Sequence, residues 1–440
     1  MSSTASTSYN RSGFAVLQFV VALVIIGIVA ALGYKYLDQS QAATATNIFV
    51  PASTGGGVAV PSHGVYWGGT NSGDTITVPG CTTQTGFNLL ECKVGWAGQV
   101  QGLASTTSYE SSMEHFYTDC AKPIPSSVTS SSKKAGRKVL MVNMTCGNWT
   151  VLAGGDANAI ANIKARTTEL IALNIPVILS FHHEPENDSC SSVGTYFGSP
   201  EDYRAAYRTF SATVRTTTAA TAHTNNIAMG WILMGFTFDK AGTTLWNGSC
   251  SGHTTSDSMI RNPDNWYPGD DAVDWLLADA YDGNGTRNFD QEIANFVTWT
   301  NSCTAVKPTS NYSCTANRAT KPIGLAETSV QGTVDHRAAF FDDMALSLPK
   351  YPKFRAYAFW SSSAAAGFNG ILDRADDPTH ASLKAFARLE LSDYVHTIVI
   401  NKDRNSAIVV EPETGLLSGP STLVNDPSAL HSSSVRFNLH

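Results

Sequence analysis

Ile175-Pro176-Val177-Ile178-Leu179-Ser180 runs directly into Phe181-His182-His183-Glu184-Pro185-Glu186. A short, unbroken apolar run reads as a strand buried on both faces. Two histidines and two acids at the end of such a strand are presented rather than packed. A second apolar run, Pro322-Ile323-Gly324-Leu325-Ala326, ends in Glu327. Strand ends that each deliver a carboxylate suggest glycoside chemistry, in which one carboxylic acid protonates the leaving oxygen and one carboxylate attacks or activates water.

Outward from this stretch, eight short apolar runs read as strands: Gly64 to Trp67, Glu114 to Tyr117, Val139 to Asn143, Val177 to Phe181, Ile227 to Gly235, Val273 to Ala280, Ile323 to Ala326 and Arg355 to Trp360. Helical patterns separate several of them. Ser199-Pro200-Glu201-Asp202 supplies a cap, a proline for the first helical position and acids for the first turn, with Tyr203, Tyr207, Phe210 and Val214 on one face. Further helices are expected from Ala157 to Leu173, Asp290 to Trp299 and Ala381 to Leu391. Alternating strands and helices, eight strands in all, predict an α/β fold of the (β/α)8 TIM-barrel type. Tyr394 to Ile400 and Ala407 to Val410 then flank a short polar segment and read as an appended β-hairpin.

The chain has 440 residues, of which 42% are hydrophobic and 15% charged, and a formal net charge of −7. With no long Lys/Arg cluster it lacks the concentrated positive charge that nucleic acid binding needs, and a neutral polymer such as a polysaccharide fits better. Eight scattered cysteines show no C-x-x-C spacing, so up to four disulfides are expected rather than a zinc site. Cys81/Cys92 and Cys303/Cys314 are close enough in sequence to staple local loops, but the connectivity stays open.

Phe14 to Leu32 is almost wholly apolar, with Gln18 the strongly polar exception, and is long enough to span a bilayer as a helix. Ser12-Gly13-Phe14-Ala15-Val16-Leu17-Gln18 followed by Val24 to Ala31 resembles a type IV pilin or pseudopilin leader, which is cut after the glycine. Gln18 stands where that family usually carries Glu. The resemblance implies export, anchoring through the N-terminal helix unless the leader is processed, and a place in a pilus or secretion assembly. Residues 39–62, with Gly55-Gly56-Gly57, have linker composition. The expected organisation is a leader and transmembrane helix over 1–38, a linker over 39–62, the barrel over 63–391 and a hairpin tail over 392–440. The expected location is the cell surface or outside the cell.

His183-Glu184, Trp266-Tyr267-Pro268-Gly269-Asp270-Asp271, Ala280-Tyr281-Asp282 and Ala326-Glu327-Thr328 together resemble glycoside hydrolase family 26 over most of His63 to Leu391. The resemblance implies a retaining β-glycanase, foremost an endo-β-1,4-mannanase, with Glu184 as general acid/base and Glu327 as nucleophile. It also implies that His183 binds sugar or orients Glu184, and that Tyr281 donates a hydrogen bond to Glu327. Trp360, at the eighth strand end, offers a flat face to a pyranose ring. Trp149, Trp231 and Trp266 are further platforms, though each would also serve in a core. Asp270 and Asp271 are expected to brace a loop, and Glu186 to be an exposed loop charge.

No metal or organic cofactor is expected. His-Glu-x-x-His would need a histidine where Asn187 stands, and Gly64 to Gly69 lacks the Lys-Ser/Thr ending of a phosphate loop. The nearest rival substrates are xylan and mixed-linkage β-glucan. The rival from another class is a non-catalytic carbohydrate-binding adhesin or pilin-like surface protein.

Overall fold

The computed structural model describes residues 58, 60, 64–71, 76, 78–104, 109, 111–126, 128, 139–189, 197–220, 226–239, 259–301, 316–362 and 369–396, and strand segments within 398–437. The apolar segment 14–32, the linker, and Cys303 and Cys314 lie outside these residues. Among the described residues no helix is long and apolar enough to cross a membrane.

Eight strands form one sheet: β1 Tyr66–Asn71, β2 Met113–Asp119, β3 Val139–Thr145, β4 Val177–Phe181, β5 Ile227–Met234, β6 Trp275–Asp282, β7 Ile323–Val330 and β8 Phe354–Ser361. Each pairs in parallel with its neighbour in the order β1-β8-β7-β6-β5-β4-β3-β2. The sheet curls into a nearly closed barrel whose seam lies between β1 and β2. There the hydroxyl of Ser112 does the work of a ladder, accepting from Trp67 N at 2.9 Å and donating to Trp67 O at 3.3 Å. Gly68 is required at this seam because a Cβ on it would run into the Met113 carbonyl.

The strands carry two cores, which is why their sequences are apolar without alternation. In β4, Val177, Leu179 and Phe181 pack outward against helices while Ile178 packs into the barrel. Tyr66, Met113, Val139, Met141, Ile232, Trp275, Leu277 and Ala326 fill the rest of the interior. The main outer helices are α1 Gly86–Val100, α2 Ala157–Ala172, α3 Pro200–Ala219, α4 Phe289–Asn301, α5 Val334–Ser347 and α6 Ala381–Glu390. α3 starts with the expected reciprocal cap: Ser199 Oγ accepts from Asp202 N, and Asp202 accepts from Ser199 N. α1 and α5 were not legible as helices. Both carry weak segregation of apolar from polar residues, and α1 buries Glu91 and Lys93 among its apolar side chains.

Three expectations need correction here. β6 begins and ends two residues later than its apolar run suggests, because Tyr281 and Asp282 continue the ladder against β7. β7 runs past Glu327 to Val330, so Glu327 lies within a strand rather than at its end; Thr328-Ser329-Val330 is polar at its start but strand-forming and buried. Asp393–His396 is a turn of helix rather than the start of a strand; Ile398–Asn401 pairs antiparallel with Ser406–Val409, and Ser421–Val424 and Ser434–Phe437 form a second pair that the sequence did not suggest. Cys81–Cys92 is a disulfide, as is Cys120–Cys146, whose separation of 26 residues gave no local signal.

Candidate active site

Where β4 ends, the backbone turns sharply. His182 and Glu184 both adopt positive φ, 46° and 52°, a conformation that costs a side-chain-bearing residue roughly 1–2 kcal/mol. The turn sends successive side chains in different directions. His182 points into the protein, its Nε2 2.7 Å from Asp188 Oδ2 and its ring against Trp149 and Phe197. His183 lies toward the barrel mouth, its ring centroid 5.2 Å from that of Tyr117. Glu184 heads the one-turn helix Pro185–Asp188 and accepts from Asn187 Nδ2 at 3.0 Å.

Glu186 is fully buried, not an exposed loop charge. Its Oε1 accepts from Met234 N and from Thr237 Oγ1, each at 2.7 Å, and so ties the turn after β4 to the end of β5. Burial raises its carboxyl to about 8 despite those hydrogen bonds.

Glu327 reaches the same mouth from β7 through a bulge. Opposite β6, Ala278 pairs with Leu325 but Asp279 pairs with Glu327, and opposite β8 the register also slips between Leu325 and Thr328. Leu325 faces the helices and Ala326 faces the interior. Strict alternation would turn Glu327 outward, whereas the extra residue lets it lie beside inward-facing Asp279. Both oxygens of Glu327 accept phenol hydrogen bonds, Oε1 from Tyr117 on β2 and Oε2 from Tyr281 on β6. Tyr281 in turn meets Trp360 edge to face, with centroids 5.8 Å apart. Trp360 is partly exposed at the end of β8.

A third carboxyl, Asp279, completes the cluster and is fully buried. Burial, followed by the charges of Glu327 and Glu184, holds its proton far above the ordinary carboxyl range. Glu184 is raised by burial, opposed by the hydrogen bond from Asn187. Glu327 is raised by burial and then by Glu184, and lowered by the Tyr117 hydrogen bond. Three carboxyls this close do not all ionise together, which separates one proton holder from one charged oxygen. His183 is lowered to about 4 by burial and by His182, and His115 beneath it to about 3 by burial; both are neutral at neutral pH.

Among the described residues, His183, Glu184 and Asp279 have the donor set for a cation, with one ligand atom each within 4.8 Å of the others. Three of the expected sugar platforms lie elsewhere. Trp149 is buried against His182, Phe197, Tyr203 and Trp266. Trp231 faces outward from β5 onto Tyr267 and Trp299. Trp266 is buried, and its Nε1 donates to Ile260 O. All three are core residues with no face at the mouth. Asp271 binds Arg208 through both oxygens, and Asp270 accepts from Tyr267, so this pair braces its loop.

Tyr117 and Asp279 escaped sequence reasoning. A tyrosine in a strand is unremarkable, but Asp279 within Leu276-Leu277-Ala278-Asp279-Ala280 is a buried acid in an apolar run, a signal as strong as that of Glu327.

No family model matches the sequence, and no curated protein matches it. Solved structures do resemble the fold. An engineered protein is 18% identical over 78% of this chain and 73% of its own, with a TM-score of 0.44. A family 26 β-mannanase from Bacteroides ovatus is 15% identical over 76% and 90%, with a TM-score of 0.43. The catalytic domain of a family 26 endo-β-1,4-mannanase from Bacillus sp. is 16% identical over 76% and 87%, also at 0.43.

Proposed function

We propose that the chain is a retaining glycoside hydrolase of β-linked polysaccharide, with endo-β-1,4-mannan hydrolysis as the leading activity. The observation that carries this reading is the meeting of Glu184 and Glu327 in one mouth, the first beside the buried Asp279 and the second clasped by two phenols. Glu184 would give its proton to the glycosidic oxygen while Glu327 bonds to the anomeric carbon. Water, deprotonated by Glu184, would then release the sugar. Trp360 and His183 border the mouth and would hold the sugar ring.

The mannan preference is drawn from the sequence resemblance, with xylan and mixed-linkage glucan as rivals. Anchoring at the cell surface through residues 14–32 is likewise proposed, supported by their apolar length and by the linker that follows.

Reducing-end release from mannan, glucomannan, xylan and mixed-linkage glucan tests the reading. One glycan should be cleaved by the purified chain, with the rate falling about a thousandfold in Glu327→Gln. Retention of glycan without cleavage, unchanged in Glu327→Gln, would identify a binding protein instead.

A further inference from the structure

The clasp on Glu327 is asymmetric. Tyr281 is braced edge-on by Trp360, whereas Tyr117 is 39% exposed at the mouth, flanked by His115 and His183 with ring centroids at 4.7 and 5.2 Å. Among the described residues no ion pair reaches Glu327, so these two neutral donors are what hold the carboxylate. A nucleophilic carboxylate uses one oxygen, and the phenol on that oxygen has to let go as the new bond forms. The other oxygen keeps its partner. Tyr117 is the more exposed of the two and so the donor with room to turn toward a sugar at the mouth, which makes Oε1 the attacking atom. Once Oε1 is bonded to the anomeric carbon, the freed hydroxyl of Tyr117 is left within about a hydrogen bond's reach of that carbon's substituents. Of these, the 2-hydroxyl forms the interactions that strengthen most in the transition state.

We propose that Tyr117 is a further catalytic residue, a phenol that holds Glu327 Oε1 in the free protein and passes its hydrogen bond to the 2-hydroxyl of the sugar as Oε1 attacks. The proposal rests on the glycosidase reading. The step balances with no change in Tyr117 itself: the C1–Oε1 bond forms, the glycosidic C1–O bond breaks, Glu184 gives its proton to the leaving oxygen, and Tyr117 keeps its own. Burial and the neighbouring Glu327 charge raise the phenol far above its ordinary range, so it remains a donor throughout.

The test is a cycle of two proteins and two substrates: wild type and Tyr117→Phe, each on an aryl glycoside of the preferred sugar and on its 2-deoxy counterpart. Tyr117→Phe is expected to lose roughly 10- to 100-fold in kcat/KM on the 2-hydroxy substrate and to lose little on the 2-deoxy one, because the partner is already gone. The acid limb of its kcat/KM profile should move to higher pH, since an ionised Glu327 with one donor fewer holds a proton more tightly. Equal losses on both substrates would overturn the transfer and leave Tyr117 a residue that only positions Glu327. Tyr281→Phe is the control, expected to lose equally on both substrates. A wild type that cleaves neither substrate nor any glycan overturns the glycosidase reading itself, an outcome distinct from activity with equal losses.

Discussion

Glu186 and Asp279 show how one residue type takes different duties according to its partners. Glu186 is tied to Met234 and Thr237, and its raised carboxyl makes a prediction about stability. Its proton affinity rises from 4.5 in the open chain to about 8 in the fold, so its contribution to stability is complete below about pH 4.5 and is lost as the pH passes 8. Glu186→Gln keeps the acceptor and cannot ionise. Its stability relative to wild type should therefore improve between pH 5 and 8, by an amount on the order of a few kcal/mol. Urea midpoints that run parallel across that range would show that Glu186 does not hold a proton. On the glycosidase reading, Asp279→Ala removes a neighbour that lowers the proton affinity of Glu184 and should move the basic limb of kcat/KM to higher pH. Asp279→Asn keeps a donor and should leave the limb near its place. On the same reading, a Glu184→Ala protein should keep most of its rate on glycosides whose leaving group departs without a proton, and should lose about a hundredfold or more where a proton is needed.

Elements were legible in the sequence wherever both faces of a strand are buried. Val177 to Phe181 could be read as a strand because its inward and outward positions are both apolar, and the acids beyond it therefore stood out. The same logic found Glu327 but misread its setting, since a bulge leaves no mark in composition. It is a count of residues between neighbouring ladders, visible only when Asp279 and Phe359 fix the register on either side. The tryptophans failed for a related reason. Trp149, Trp231 and Trp266 have the chemistry of a sugar platform, but which way a ring faces is decided by its element's orientation in the fold. At α3 the local code sufficed: Ser199→Ala should cost about 1 kcal/mol and lower the melting temperature by about 2 °C. No shift in a thermal scan would mean that the cap is dispensable.

The barrel as a whole closes on a single hydroxyl and a missing side chain. Gly68→Val should force β1 away from β2 and destabilise the protein by about 3 kcal/mol, readable as a lower denaturant midpoint; an unchanged midpoint would show that the seam tolerates opening. Far from that seam, the two left-handed residues at the end of β4 bear on how such a molecule could change over generations or in the laboratory. Glycine would adopt the backbone of position 182 or 184 without strain, and each such replacement relieves a cost the present side chains impose. At 182 that relief is outweighed by the cavity left against Trp149 and Phe197 and by the lost Asp188 partner, so selection for thermal endurance alone would favour losing the acid at 184. A library screened for heat resistance without a glycan-cleavage assay should become enriched in replacements of Glu184.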